Sequence, residues 1–175
     1  MSNRVSRLLR GTVFALTAGM FSLPVLAQEG GDFMDVKRMS MELSRDIAQA
    51  AVTECRDKGY QVTAAVVDRN GTPQVVMRDV YAPEVSYRIA KEKAYTAVEF
   101  SANTHEVIQN RQGIGNTLNH VKGLLFADGG LIIETGSGTI VGAVGVSGAP
   151  GGDIDRSCAQ AGLDAVADRL QFAGM

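Results

Sequence analysis

The stretch Thr139-Ile140-Val141-Gly142-Ala143-Val144-Gly145-Val146 is rich in β-branched residues and reads as a strand, yet it holds two glycines. Glycine inside a strand costs stability and marks a bulge or a place where other backbone comes close. Gly142 and Gly145 are three apart, so they face opposite sides of a sheet. Two readings stay open. One is a helix packed tightly over a crowded strand. The other is a surface where a flat ligand or a partner subunit lies against backbone. A phosphate loop is excluded, because neither Gly-x-x-x-x-Gly-Lys-Ser/Thr nor Gly-x-Gly-x-x-Gly between a strand and a helix is present.

Working outward, Gly136-Ser137-Gly138 turns back to a strand over Leu131–Glu134, and Pro150-Gly151-Gly152 leads into a last helix from Asp153 to about Phe172. Asp153 and Asp155 suit the positive end of that helix, so capping is favoured over metal binding. Upstream, Ser40 is placed as the N-cap of a helix with Leu43, Ile47, Ala50 and Ala51 at spacings of three and four, and Gly59 follows its end. Val62–Asp68 reads as a strand. Asn70-Gly71 then signals a hairpin turn in which both central residues tolerate positive φ, and Gln74–Val80 returns, with Pro73 at its start. Pro83 opens a second long helix that runs to about Ser101. Ala90, Ala94, Ala97 and Ser101 form a stripe of small residues on it, suited to close approach to a sheet. Thr104 caps a short helix over His105–Arg111, and Gln112–Lys122 reads as a loop. Two hairpins flanked by helices predict an α+β fold, an antiparallel sheet with helices packed on it.

The 175 residues, 45% apolar and 21% charged, suit one globular domain, and a net charge of −2 argues against a nucleic-acid binder. The N-terminus carries Arg4, Arg7 and Arg10, an apolar run over Gly11–Leu23, Pro24, and a Val25-Leu26-Ala27 cleavage site. That order predicts a secretory signal peptide over residues 1–27, cleaved after Ala27, with an uncleaved anchor as the alternative. It places the protein in the periplasm or outside the cell, without stable membrane insertion after cleavage. A flexible leader over 28–39 and a single domain over 40–175 follow. Cleavage leaves 14 basic residues against 19 acidic ones. Cys55 and Cys158 would then sit where a disulfide can form.

Gly129-Gly130-Leu131-Ile132-Ile133, the run Gly138 to Gly148, and Asp153-x-Asp155-x-x-Cys158-Ala-x-Ala-Gly162 together resemble the GlcG/HbpS family, the haem-degrading or DUF336 domain, which is related to the C-terminal domain of PduO-type proteins. Ala64–Asp68 with Gly71, and Lys91-x-Lys93-Ala94-x-Thr96-Ala97, add to the resemblance, which covers roughly residues 40 to 172. Leu131 follows Gly130 where the family commonly has proline. The resemblance implies a profilin-like fold with helices on both faces of the sheet, assembly into a homo-oligomer, and haem as a possible cofactor. It also implies that the two terminal helices lie side by side, which would bring Cys55 and Cys158 together.

Haem needs an axial ligand, an apolar slot and cations near its propionates. His105 and His120 are the only histidines, and the plain alternative for each is a solvated or capping side chain. The resemblance associates Lys93 and Thr96 with the haem-binding region, although a threonine hydroxyl is a poor iron ligand. Arg88, Lys91 and Lys93 are candidate propionate partners, with a solvated helix face as the alternative. Met77 reads as core. No Gly-x-Ser-x-Gly motif accompanies either histidine, so no catalytic constellation is identified. The expectation is an exported haem- or tetrapyrrole-binding protein acting in sequestration or sensing, with His105 and Thr96 as candidate iron ligands and Lys93 and Arg88 as further contacts. The alternative is a non-haem small-molecule-binding or accessory oligomeric subunit beside an oxidative catabolic pathway.

Overall fold

A computed structural model describes residue 32 and residues 34–173. The signal-peptide reading lies outside the described residues. The chain divides into Met1–Asp35 and Val36–Met175, and every helix and strand of the described residues lies in the second unit. In order these are α1 (Met41–Asp57), β1 (Thr63–Asp68), β2 (Pro73–Arg78), α2 (Glu84–Phe100), α3 (Thr104–Asn110), α4 (Ile114–Leu118), β3 (Gly130–Glu134), β4 (Ile140–Ser147), α5 (Gly152–Asp164) and α6 (Ala167–Gln171). The strands form one antiparallel sheet in the order β2-β1-β4-β3. Among the described residues no helix is long and apolar enough to cross a membrane.

Alternation along the central strands explains the layers. Ala64 and Val66 of β1 and Val144 and Val146 of β4 join α1 and α5 in the larger core, while Val67 and Ala143 meet Ala94 and Ala97 of α2 on the other face. With helices on both faces, all six residues of β1 are buried. The α+β fold and its two helical layers are therefore as expected. The β4 glycines do what their spacing indicated. A Cβ on Gly145 would overlap the Ala90 carbonyl oxygen of α2, and one on Gly142 would strike Met39 and the Val67 carbonyl oxygen. The small-residue stripe of α2 and Gly145 thus form one close contact. Ser40 caps α1 by accepting the Leu43 N–H at 3.2 Å. Cys55 of α1 and Cys158 of α5 form a disulfide that spans 103 residues, and in the chain-entropy account a loop of this size is worth about 4–5 kcal/mol.

Four expectations are corrected. The chain is already docked before Ser40: Met39 is buried in the core and its carbonyl accepts from Gln74 Nε2 at 3.2 Å. Of the turn residues only Gly71 has positive φ, at +76°. The Asp68 carboxylate accepts the Asn70 and Thr72 N–H groups at 2.9 Å, and the register slips by one between Val66 and Val67, so the hairpin is a bulged turn organised by Asp68. The 112–122 stretch contains the short helix α4. The last helix is broken at Ala165–Val166, which lets Val166 and Leu170 turn into the core.

Candidate ligand-binding site

The residues singled out in the sequence separate into a closed and an open group. Lys93 and Thr96 lie on the inner side of α2 and are buried. Lys93 Nζ donates to Asp155 Oδ2 at 2.7 Å and to the Val146 carbonyl at 2.9 Å. Asp155 Oδ1 accepts the Ala149 N–H at 3.1 Å. Asp155 therefore does not cap α5 by a side-chain hydrogen bond, as its position suggested, but turns inward to meet Lys93. Burial pushes the Asp155 carboxyl above its ordinary pKa, and the Lys93 charge and hydrogen bond pull against that shift. Gly129 makes room for this pair. A Cβ there would come within 2.8 Å of the Asp155 Cβ and 3.0 Å of Lys93 Nζ. Thr104 Oγ1 accepts the Gly130 N–H at 3.0 Å, closing the same corner. The Gly129-Gly130 signature is thus explained by an ion pair that ties α2 to α5 around the ends of β3 and β4.

Thr96 is equally committed. Its hydroxyl donates to the Glu92 carbonyl at 2.8 Å and accepts the Leu125 N–H at 2.8 Å, and the residue is 0% exposed. In this arrangement it has no room for an iron atom, and Lys93 has no free ammonium for a propionate. His105 is different. Its Nδ1 lies 3.1 Å from Asp128 Oδ2, which also accepts from Arg156 Nη1 at 2.7 Å, and its side chain is 43% exposed. A carboxylate only accepts, so Nδ1 is the donor, and in the neutral form of the ring the Nε2 lone pair is free, an arrangement seen in metal-ligating histidines. His105 therefore offers an axial nitrogen of the kind haem iron takes, and Arg88 is an exposed cation. His120 is exposed beyond α4, and Met77 is partly buried against the core.

The open group lines the outer side of α2. Val80, Tyr81, Val85 and Tyr87 are exposed apolar or aromatic side chains at the β2–α2 corner. Lys91 Nζ lies 5.9 Å from the centre of the Tyr87 ring. Beside them a cavity of about 350 Å³ is lined by Gly71, Pro73, Lys91, Glu92, Tyr95, Lys122 and Gly123. A larger groove of about 400 Å³ runs along β3, α5 and α6, but amides, carboxylates and the Thr135 hydroxyl supply its polar side chains and none of the candidate ligands lines it. Asp128, Arg156, Tyr95 and Lys122 escaped the sequence reading. The only signal for Tyr95 lay in Gly71 and Gly123, whose missing side chains make space for its ring.

A family model described as haem degrading protein HbpS-like matches residues 39–164. The fold is similar to that of an HbpS double mutant from Streptomyces reticuli, with a TM-score of 0.73 and 37% identity, covering 83% of this chain and 97% of that one. It is similar to PduOC in a structure described as a haem complex, with a TM-score of 0.66 and 28% identity, covering 74% of this chain and 95% of that one. The corrinoid adenosyltransferase PduO of Citrobacter freundii is 30% identical over 113 residues, which is 63% of this chain and 34% of that protein. The chain thus spans about a third of the length of the adenosyltransferases it matches.

Proposed function

Because the chain belongs to the HbpS-like family, we propose that it is an exported haem- or tetrapyrrole-binding protein that sequesters or senses its ligand. The observation that carries this reading is the likeness to PduOC, whose structure holds haem. In this chain His105 is the residue to hold the iron, and Arg88 the residue to meet a propionate. Bound haem would supply a redox-active, ligand-accepting iron, while Asp128 would orient the imidazole through Nδ1. Export rests on the residues 1–27 reading and is tested by cell fractionation and N-terminal sequencing. A mature chain beginning at Gln28 is expected, and an intact N-terminus overturns it.

The binding test is a hemin titration of the purified protein. A saturable Soret shift is expected, and its absence removes the reading. His105→Ala is expected to abolish the iron-dependent spectrum, whereas Thr96→Ala retains it. The β2–α2 corner favours a second reading, a homo-oligomeric accessory subunit, because four large apolar or aromatic side chains close in sequence, Val80, Tyr81, Val85 and Tyr87, are all exposed there. Sedimentation of the protein at several concentrations separates an assembling chain from a monomer.

A further inference from the structure

The cavity beside Tyr95 is built from three separate parts of the chain: the turn between β1 and β2, the middle of α2, and the segment that follows α4. We propose that it is a binding site for a flat, carboxylate-bearing ligand, held by the Lys91 and Lys122 ammonium groups beside Tyr95 and Pro73. The proposal requires neither iron nor a macrocycle and so goes beyond the haem and tetrapyrrole reading.

Three observations support it. First, among the described residues neither Lys91 nor Lys122 has an ion-pair partner, whereas Lys93, two residues along the same helix, is fully paired. Two unpaired cations at one cavity attract an anion, and a carboxylate offers charge-assisted acceptors to both. Glu92 also lines the cavity. It leaves the lining with an excess of positive charge and adds an acceptor for a donor group on the ligand. Second, the Tyr95 ring is held edgewise between two glycines. A Cβ on Gly71 would overlap Cδ2, and one on Gly123 would lie 3.3 Å from Cδ1 and Cε1. The ring and Pro73 supply the apolar surface that a planar ligand needs. Third, the volume of about 350 Å³ is at the lower end of ligand pockets. It suits a whole mono- or bicyclic acid, or one carboxylate-bearing edge of a macrocycle.

Thr96 acquires a role here that its burial denies it as an iron ligand. By accepting the Leu125 N–H at 2.8 Å it ties the segment carrying Lys122 and Gly123 to α2, one residue from Tyr95. Thr96 is a positioning residue for the cavity, acting through Leu125.

The test uses the intact protein and two probes, metal-free protoporphyrin IX and 2-naphthoate, followed by their own absorbance and fluorescence. Saturable binding of at least one probe is expected. The double variant Lys91→Gln/Lys122→Gln should weaken it by roughly tenfold or more with unchanged thermal unfolding, since both lysines stand outside the core. Added salt should weaken it in the same direction. Thr96→Val should lower affinity while thermal unfolding shows the fold intact, a loss that Thr96→Ser partly restores. Porphyrin binding alone assigns the carboxylate to a macrocycle edge, and naphthoate binding assigns it to a small aromatic acid. If hemin fails to bind but naphthoate binds in a lysine-dependent way, the haem reading falls and this site stands. Unchanged affinity of the double variant for every probe that the intact protein binds removes this site and, where hemin binds, leaves the haem reading intact. Binding of neither probe by the intact protein also overturns it.

Discussion

The two sides of α2 carry similar side chains and treat them in opposite ways. On the inner side Lys93 is buried, paired with Asp155 and bonded to the Val146 carbonyl. On the outer side Arg88 is exposed, and Lys91 borders an open cavity. The inner cation belongs to the architecture, because it joins two helices on opposite faces of the sheet. Among the described residues the outer cations join no second helix, and Lys91 lies only beside Tyr87 of its own helix. A lysine on this helix is therefore read from which side of α2 it occupies, and the half-turn from Lys91 to Lys93 changes the answer.

The sharpest way to break this contrast is to remove one partner of the inner pair. Asp155→Ala leaves the Lys93 charge buried and unpaired, and is expected to cost about 3–5 kcal/mol in urea unfolding. Replacing both together, as Lys93→Met/Asp155→Leu, should recover most of that loss. If the single variant unfolds like the wild type, Lys93 is not an anchor.

A smaller effect separates two carboxylates by their pH signatures. Arg56 donates to Asp79 at 2.9 and 3.0 Å and holds that carboxyl below its ordinary value, with a further hydrogen bond from the Val80 N–H. Asp79 therefore contributes stability above its unfolded pKa, and the contribution is lost as pH falls through the lower folded value. Asp155 has the reverse sign, because its folded pKa is raised. Its contribution is present below the unfolded pKa and lost as pH rises through the folded value. Unfolding midpoints followed across the carboxylate range should show Asp79→Asn flattening the acid limb and Asp155→Asn removing the opposing slope. Matching profiles for the two variants would contradict the assignment.

The smallest effect is expected on the outer side. Arg88→Gln should change stability by less than about 0.5 kcal/mol, as for a surface substitution without packing. A larger loss in thermal unfolding would mean that the outer cation is also structural.

Much of the scaffold was legible before the structure. Ser40, Gly59, Pro83 and the β-branched runs mark elements and their ends by local rules, and local hydrogen bonding obeys them. Gly142 and Gly145 announced close approach on two faces, although not which atoms approach. The misplacements occurred where a side chain's own bonding or burial, near or far in sequence, overrules the residue pattern. Asp68 side-chain bonds reshape a turn that Asn70-Gly71 alone would make differently, and burial of Val166 and Leu170 interrupts a helix that periodicity would continue. The site was less legible. Asp128, Arg156 and Lys122 lie far from His105 and Tyr95 in sequence and carry no local motif.

The sequence by itself determined the order of the four strands and the three long helices, because strand and helix patterns, caps and glycine spacing act over a few residues, and it carried the resemblance to a haem-associated family, which implied helices on both faces of the sheet. Tertiary structure alone decided the fate of the named site residues. It paired Lys93 with Asp155, saturated the Thr96 hydroxyl, oriented His105 through Asp128, and set Lys91 and Lys122 at one cavity. The physical reason is that burial and pairing depend on what packs against a side chain, and here those partners come from elements tens of residues away.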